Sequence, residues 1–257
     1  MLFPLSDDDR KLSSPALVTW FLIAANVVFF FVQAADIDFT YAWSTVAYEI
    51  TTGQDIANDV PVDAATAREI PQRPGPGPAP MIYLTLITSM FMHGGLMHIG
   101  GNMLYLWIFG DNVEHRFGHA PFLVFYLVSG LAATFAQIAL DPDSLIPSLG
   151  ASGAISGVLG AYLVLFPRNK VNAIFFIRVV SIPAFIVLGV YIVFQFVDGW
   201  GSIFATEQTG GVAYGAHIGG FVAGALTALV YRLIGKKEQE SPLAPAIRRD
   251  PSNRTMW

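Results

Sequence analysis

The chain has 257 residues, of which 54% are hydrophobic and 13% charged, with a net charge of −5 and no cysteine. Ordinary soluble domains carry about 25% charged residues, so this chain has too little polar surface for a soluble globule. The acidic balance argues against nucleic acid as a partner, and the lack of cysteine excludes disulfides, thiolate nucleophiles and cysteine-ligated metals.

Six uncharged apolar runs follow one another along the chain, and about 20 residues suffice to cross a bilayer as a helix. The first run is too long for a signal-peptide core and follows acidic residues, so we expect it to remain as an anchor. The sequence therefore predicts an all-α polytopic membrane protein with six transmembrane helices, at residues 15–35, 81–110, 121–140, 150–167, 179–197 and 212–231.

The lysines and arginines predict the orientation, because these residues are retained on the cytoplasmic side of a membrane. With the N-terminus inside, 12 of the 14 fall on that side, and only Arg68 and Arg73 fall outside. Both termini are therefore expected to be cytoplasmic.

The chain divides around this predicted membrane domain. A cytoplasmic N-terminus at 1–14 precedes the domain at 15–235, and a polar, proline-containing tail at 236–257 is expected to be mobile. The outer loop at 36–80 ends in a stiff proline- and glycine-rich spacer at 70–80. Two glycines break the long second run, so the second transmembrane helix should begin near Leu96.

Few polar groups fall within the predicted spans, and ionisable residues there are candidate functional sites. His98 and Asn102 are four residues apart, which places them on one face of the second helix. Small residues follow Ser152 on the fourth helix and flank His217 on the sixth. Because small residues let membrane helices approach closely, we expect these two helices to pack with Ser152 opposite His217.

These positions suit acyl-transfer chemistry. Serine becomes a nucleophile when a neighbouring base takes its proton, and histidine is the usual base. A serine in the first turn of a helix also lies beside backbone N–H groups that have no intrahelical partner and can bind an oxyanion. The predicted spans contain no Asp or Glu, so a Ser152/His217 dyad is favoured over a triad. His98 and Asn102 are then candidate oxyanion donors.

Packing alternatives stay open for each of these residues. Ser152 alone would suit a capping or packing role, and His98 and Asn102 could form interhelical hydrogen bonds. A soluble-hydrolase nucleophile elbow does not fit, because G-x-S-x-G requires glycine where this chain has Ala154.

Four motifs over about residues 81–235 carry a family resemblance: HGGLMHIGGN, GDNVEHRFG, GASGAISG and AHIGGFVAG, in this order. Through them the chain resembles the rhomboid intramembrane serine proteases, which implies a six-helix rhomboid-like bundle. The resemblance implies that Ser152 is the nucleophile and His217 the general base. It also implies an oxyanion hole made by His98, Asn102 and the Ser152 backbone N–H.

The same resemblance implies a serine endopeptidase that cleaves transmembrane protein substrates within the lipid bilayer, without cofactor or metal. It further implies a water-filled cavity that opens to the outer side, closed by the loop at 198–211, with the fifth helix near a lateral gate. A bacterial cytoplasmic membrane is the expected location. An inactive rhomboid-like binding protein is the alternative, and a small transporter is a weaker one.

Two positions depart from the family pattern. Many members have a Trp-Arg pair in the first loop, where this chain has Ile82 and Tyr83. Many also place, four residues after the nucleophile, an aromatic ring that stacks on the catalytic histidine, and here that position is Ser156. The sequence therefore does not indicate what holds the His217 ring.

Overall fold

The computed structural model describes residues 2–7, 15–56, 81–204 and 213–234, and for 2, 3, 37 and 198–204 only the backbone. The predicted spacer at 70–80, the tail at 236–257 and half of the predicted closing loop, 205–211, lie outside this part of the chain. Its helices are α1 (Leu17–Ala35), α2 (Ile37–Ala42), α3 (Ala47–Thr52), α4 (Met81–Thr88) with a 3₁₀ turn (Ser89–Phe91), α5 (Leu96–Phe117), α6 (His119–Leu140), α7 (Ser152–Leu165), α8 (Ala184–Phe204) and α9 (Tyr214–Ile234). Its strands are β1 (Leu2–Ser6), β2 (Lys170–Phe175) and β3 (Arg178–Pro183).

Three helices of this part of the chain, α1, α6 and α9, are each long and apolar enough to cross a membrane. A fourth span arises if α4, its 3₁₀ turn and α5 are taken as one segment, broken and bent by 77°. Two further apolar helices, α7 and the 184–197 portion of α8, are shorter. The architecture is thus mostly helical and multi-pass, while six complete spans stay a prediction.

The second predicted helix begins where the sequence places it, at Leu96. Gly95 precedes it with a φ of 159°, and its extended backbone separates the axis of α5 from that of α4. The long apolar run therefore forms two helices, because the chain changes direction at the paired glycines before α5.

The predicted packing of the fourth helix on the sixth is confirmed by the contact between α7 and α9. A Cβ atom built at Gly220 would lie 2.1 Å from the Gly153 carbonyl oxygen, and one at Gly224 would lie 1.9 Å from that of Gly157. Gly160 meets the Phe221 carbonyl oxygen in the same way, at 2.1 Å. The two backbones are in direct contact, which only glycine allows.

Helix α6 covers the other side of this pair. A Cβ atom at Gly219 of α9 would lie 2.3 Å from the Cβ of Ala136, and one at Gly153 of α7 would lie 2.6 Å from that of Ala133. Helix α7 is consequently the centre of the bundle, and every residue from 153 to 162 is buried.

A buried carboxylate fastens α1 to the bundle. Glu114, in the last turns of α5, accepts hydrogen bonds from the backbone N–H groups of Val18 and Thr19 at 2.9 and 2.7 Å and from the Thr19 hydroxyl at 2.7 Å. His119 contacts the same carboxyl group. The first N–H groups of α1, which no helix can satisfy internally, thus find their partner on another helix.

The all-α prediction is wrong in one region, where β1, β2 and β3 form an antiparallel sheet in that order. Strand β2 pairs with β3 from Lys170 opposite Pro183 to Phe175 opposite Arg178. Residues 179–183, which the sequence assigned to the fifth span, are therefore strand. Pro183 explains the error, because a proline forces the residue before it out of the helical region, so α8 begins only at Ala184.

Strand β1 belongs to the segment predicted as the N-terminal cytoplasmic extension. Asp7, directly after it, accepts a hydrogen bond from Asn112 Nδ2 at 2.9 Å and another from the Tyr162 hydroxyl. These hydrogen bonds attach the segment after β1 to α5 and α7. Such long-range contacts cannot be predicted from a local sequence pattern.

The glycine contact between α7 and α9 predicts a large stability difference between two glycine variants. Gly224→Ala should lower the free energy of unfolding by about 3 kcal/mol, because its methyl group would meet backbone that cannot move aside. Gly189→Ala on α8, where a Cβ meets nothing within 4 Å, should leave it unchanged or raise it by up to about 1 kcal/mol. Unfolding in mixed micelles measures both, and equal stabilities would contradict the contact.

Candidate active site

The structure brings Ser152 and His217 together. Ser152 is the first residue of α7, and His217 lies in the first turn of α9. The Ser152 hydroxyl and His217 Nε2 are 2.7 Å apart, which is hydrogen-bond distance. A serine hydroxyl that donates to a histidine nitrogen is the geometry that general-base activation requires.

A third residue contacts the histidine, and sequence patterns did not single it out. Gln195 Oε1, on α8, lies 2.7 Å from His217 Nδ1. Because an amide oxygen only accepts hydrogen bonds, this contact places the ring proton on Nδ1. The Nε2 lone pair then faces Ser152.

His98 lies beside the serine. The Gly94 backbone N–H donates to His98 Nδ1 at 3.3 Å, so in the neutral ring the proton is on Nε2. A Cβ atom built at Gly150 would lie 2.8 Å from His98 Nε2 and 3.6 Å from the Ser152 hydroxyl oxygen. His98 Nε2 and the Ser152 hydroxyl thus flank one small space, which is open because residue 150 has no side chain.

Asn102 supplies a buried donor. It lies one turn after His98 on α5 and is 8% exposed. Among the described residues its Nδ2 has no hydrogen-bond partner. An unsatisfied buried donor costs free energy, and in a native structure such a group calls for a reason such as a ligand or a reacting atom.

The backbone before α7 fixes how the serine is presented. Gly150 has a φ of +125°, a conformation that other residues rarely adopt. Its N–H donates to the Ser89 carbonyl oxygen at 2.8 Å, which joins the start of α7 to the 3₁₀ turn before α5. Ser152 therefore opens the helix at a fixed position, with its own N–H among those that lack an intrahelical acceptor.

Ser156 stands where many family members have an aromatic residue, and it forms a hydrogen bond with a residue of α8. Its hydroxyl is 2.7 Å from the hydroxyl of Tyr191, and Ser156 is fully buried. The Tyr191 ring packs between those of Tyr105 and Phe221, with centroid distances of 6.3 and 6.4 Å. Tyr191 and Gln195 lie one helical turn apart, so both face the site from the same side of α8.

His93 packs against the site without joining it. Its backbone N–H and carbonyl both bond to the Gln33 side chain, and its ring meets that of His98 edge-on at a centroid distance of 5.1 Å. Its visible role is to support the His98 ring.

The described residues contain no group of three His, Cys, Asp or Glu side chains that could hold a metal ion. The groups that meet at Ser152 are neutral donors and acceptors, suited to binding a carbonyl oxygen and moving a proton.

The protein is polytopic and helical, and a serine and a histidine form a hydrogen bond where two packed helices begin. Together these features define a narrow class of membrane protein. A model of the Rhomboid domain matches residues 81–233, which is more than half of the chain. The chain therefore belongs to the rhomboid family and is an integral multi-pass membrane protein.

Three curated relatives illustrate the similarity. The chain is 30% identical over 169 residues to Rhomboid protein 1, mitochondrial, of Saccharomyces cerevisiae, covering 64% of this chain and 46% of that protein. It is 33% identical over 144 residues to Rhomboid protease GluP of Bacillus subtilis, covering 56% and 26%. It is 33% identical over 159 residues to RHOMBOID-like protein 12, mitochondrial, of Arabidopsis thaliana, covering 55% and 44%. The chain thus spans less than half the length of each of these relatives.

The space beside Gly150 predicts the behaviour of one variant. Gly150→Ala should displace the His98 ring, because the new methyl group would lie 2.8 Å from two ring atoms and the backbone would be strained. The His98 ring signals in an NMR spectrum of ¹⁵N-histidine-labelled protein should shift. Gly100→Ala on the same helix as His98, where a Cβ meets nothing within 4 Å, should leave them in place. Unmoved His98 signals in Gly150→Ala would contradict the geometry.

Proposed function

We propose that this protein is an intramembrane serine endopeptidase that hydrolyses peptide bonds in or near transmembrane segments of membrane proteins. The observation that carries the proposal is the 2.7 Å contact between the Ser152 hydroxyl and His217 Nε2 at the start of α7. Family membership and the relative named as a protease support it.

In the first step the Ser152 oxygen attacks the carbonyl carbon of the scissile bond while its proton passes to His217 Nε2. The carbonyl becomes a tetrahedral oxyanion. His217, now protonated on both nitrogens, gives the Nε2 proton to the leaving amine, and an acyl-enzyme remains. Water then attacks the ester with His217 again as base, and the proton returns to Ser152.

The oxyanion would be held by three neutral donors: the Ser152 backbone N–H, His98 Nε2–H and Asn102 Nδ2–H. The buried, partnerless Asn102 donor supports this role. So does the Gly94 contact, which leaves the His98 proton on the side of Ser152. Donors fixed in advance stabilise developing charge without reorganising at the moment of reaction.

The length of α7 bears on the depth of the site. Its 14 residues span about 21 Å at ~1.5 Å per residue, which is less than the ~30 Å hydrocarbon core. With its C-terminal end near the cytoplasmic surface, Ser152 would lie below the outer surface. We propose six membrane segments with both termini cytoplasmic and the site open to the outer side, as the lysine and arginine distribution favours. A bacterial cytoplasmic membrane is the proposed location.

The direct test is cleavage of a single-span reporter by purified protein in liposomes. Wild type should cleave, while Ser152→Ala and His217→Ala should lose at least about 10³-fold in rate, because residues of one catalytic unit fail together. The unfolding midpoint of each variant shows that it is folded. Folded wild type that captures transmembrane helices without cutting any would instead indicate the inactive binding protein.

Asn102 offers a second test, because rate and stability should respond differently. Asn102→Ala should lower kcat about 10²- to 10³-fold with little change in KM, as expected for a lost oxyanion donor. Its stability should not fall, since the variant removes a buried donor that has no partner.

Asn26 provides the matched control, because its buried Nδ2 donates to the Leu22 carbonyl oxygen at 2.7 Å on α1. Asn26→Ala should lower the unfolding midpoint and leave kcat of the folded protein unchanged. An Asn102→Ala protein with normal kcat would exclude this residue from the oxyanion hole.

A further inference from the structure

We propose that Gln195 is a positioning residue for His217, and that it holds the ring in the one tautomer that can take the proton of Ser152. The proposal deepens the proposed function and rests on it. It assigns to α8, a helix that carries neither the serine nor the histidine, control over whether the dyad is competent.

The hydrogen-bond chemistry of the three groups supports this assignment. A neutral imidazole carries one proton, and only the bare nitrogen can act as base. Gln195 Oε1 and the Ser152 hydroxyl lie 2.7 Å from the two opposite nitrogens of His217. Because Oε1 cannot donate, it selects the Nδ1–H form and leaves Nε2 bare toward Ser152.

A neutral acceptor also suits this environment. Helices α7 and α9 contain no Asp or Glu, so they offer no carboxylate of the kind that orients histidine in a serine triad. A buried carboxylate would carry a desolvation cost that a neutral amide largely avoids. Gln195 thus supplies the orienting hydrogen bond with no fixed charge in an apolar bundle.

The depth and rotation of Gln195 are set one turn earlier, by Tyr191. Its hydroxyl bonds to Ser156 at 2.7 Å, which links α8 to α7 directly below Ser152. The path from Ser156 through Tyr191 to Gln195 therefore ends on the His217 ring. Ser156, which occupies the position where an aromatic ring stacks on the histidine in many relatives, contributes to holding the same ring by another route.

The flanking residues of α8 do not share this role. Val193, Phe194 and Phe196 are each more than half exposed on the surface of the bundle. Gln195 is the polar residue among them, and it turns inward to His217. Phe194→Leu therefore provides a matched control, since it changes α8 next to Gln195 without touching the histidine.

The experiment compares Gln195→Leu, Gln195→Glu and Phe194→Leu with wild type on the single-span reporter. Gln195→Leu should lower kcat about 10- to 100-fold with KM unchanged. Locking a triad histidine in the wrong tautomer costs about 10⁴-fold, and here the ring would be released to sample both tautomers. Gln195→Glu restores an acceptor and should recover kcat to within about tenfold of wild type. Phe194→Leu should match wild type.

A spectroscopic readout separates positioning from mere packing. In ¹⁵N-histidine-labelled protein, the His217 signals, identified by their loss in His217→Ala, should show a protonated Nδ1 and a bare Nε2. In Gln195→Leu they should shift toward a mixture of the two tautomers. This measurement does not depend on cleavage, so it tests Gln195 even if wild type cuts no substrate and the proposed function fails.

Three results would overturn the proposal. One is a wild-type His217 that carries its proton on Nε2. Another is a Gln195→Leu protein with normal kcat on a reporter that wild type cleaves. The third is a Gln195→Glu protein that is folded but as slow as Gln195→Leu, since the acceptor would then be irrelevant.

Discussion

The direct backbone contact between α7 and α9 is the constraint on which the site depends. Gly220 and Gly224 sit on the carbonyl oxygens of Gly153 and Gly157, four residues apart on each helix. This double contact fixes both the distance between the helices and their relative height. Ser152 lies one residue before the first contact on α7, and His217 lies three residues before it on α9. The glycine contact thus brings the two side chains within reach, and the Ser152 oxygen lies 2.7 Å from the His217 nitrogen.

Around this pair, two neighbouring helices each add two neutral polar groups. Helix α5 brings His98 and Asn102, and α8 brings Tyr191 and Gln195. Neutral groups are inexpensive to bury compared with charges, and their hydrogen bonds gain strength where water is scarce. Glu114, a buried acidic residue, lies at the other end of α5, where the N–H groups of α1 satisfy it.

The sequence predicted the elements that depend on local pattern. The break before Leu96, the small-residue faces of α7 and α9, and the pairing of Ser152 with His217 all follow from residue size and helical spacing. The sheet was missed because an apolar run such as the one around Val179 suits strand and membrane helix equally well, and only Pro183 distinguishes them. Gln195 was missed because, unlike Asn102, it shares no helix face with a histidine, and its partner His217 lies on another helix 22 positions away.

Two buried asparagines, Asn26 and Asn102, differ in whether their side-chain donor has a hydrogen-bond partner. The buried Asn26 side chain donates through Nδ2 to the Leu22 carbonyl oxygen on its own helix, so its donor contributes to stability. Asn102 differs from Asn26, because its Nδ2 donor has no partner among the described residues and it lies one turn from His98, whose own proton faces Ser152. A buried donor of this kind is normally satisfied by a hydrogen bond to another group of the protein. Under the proposed function, the missing acceptor at Asn102 is the oxygen that forms when a substrate carbonyl becomes tetrahedral. The unpaired donor would then lower the stability of the free protein and raise that of the transition state.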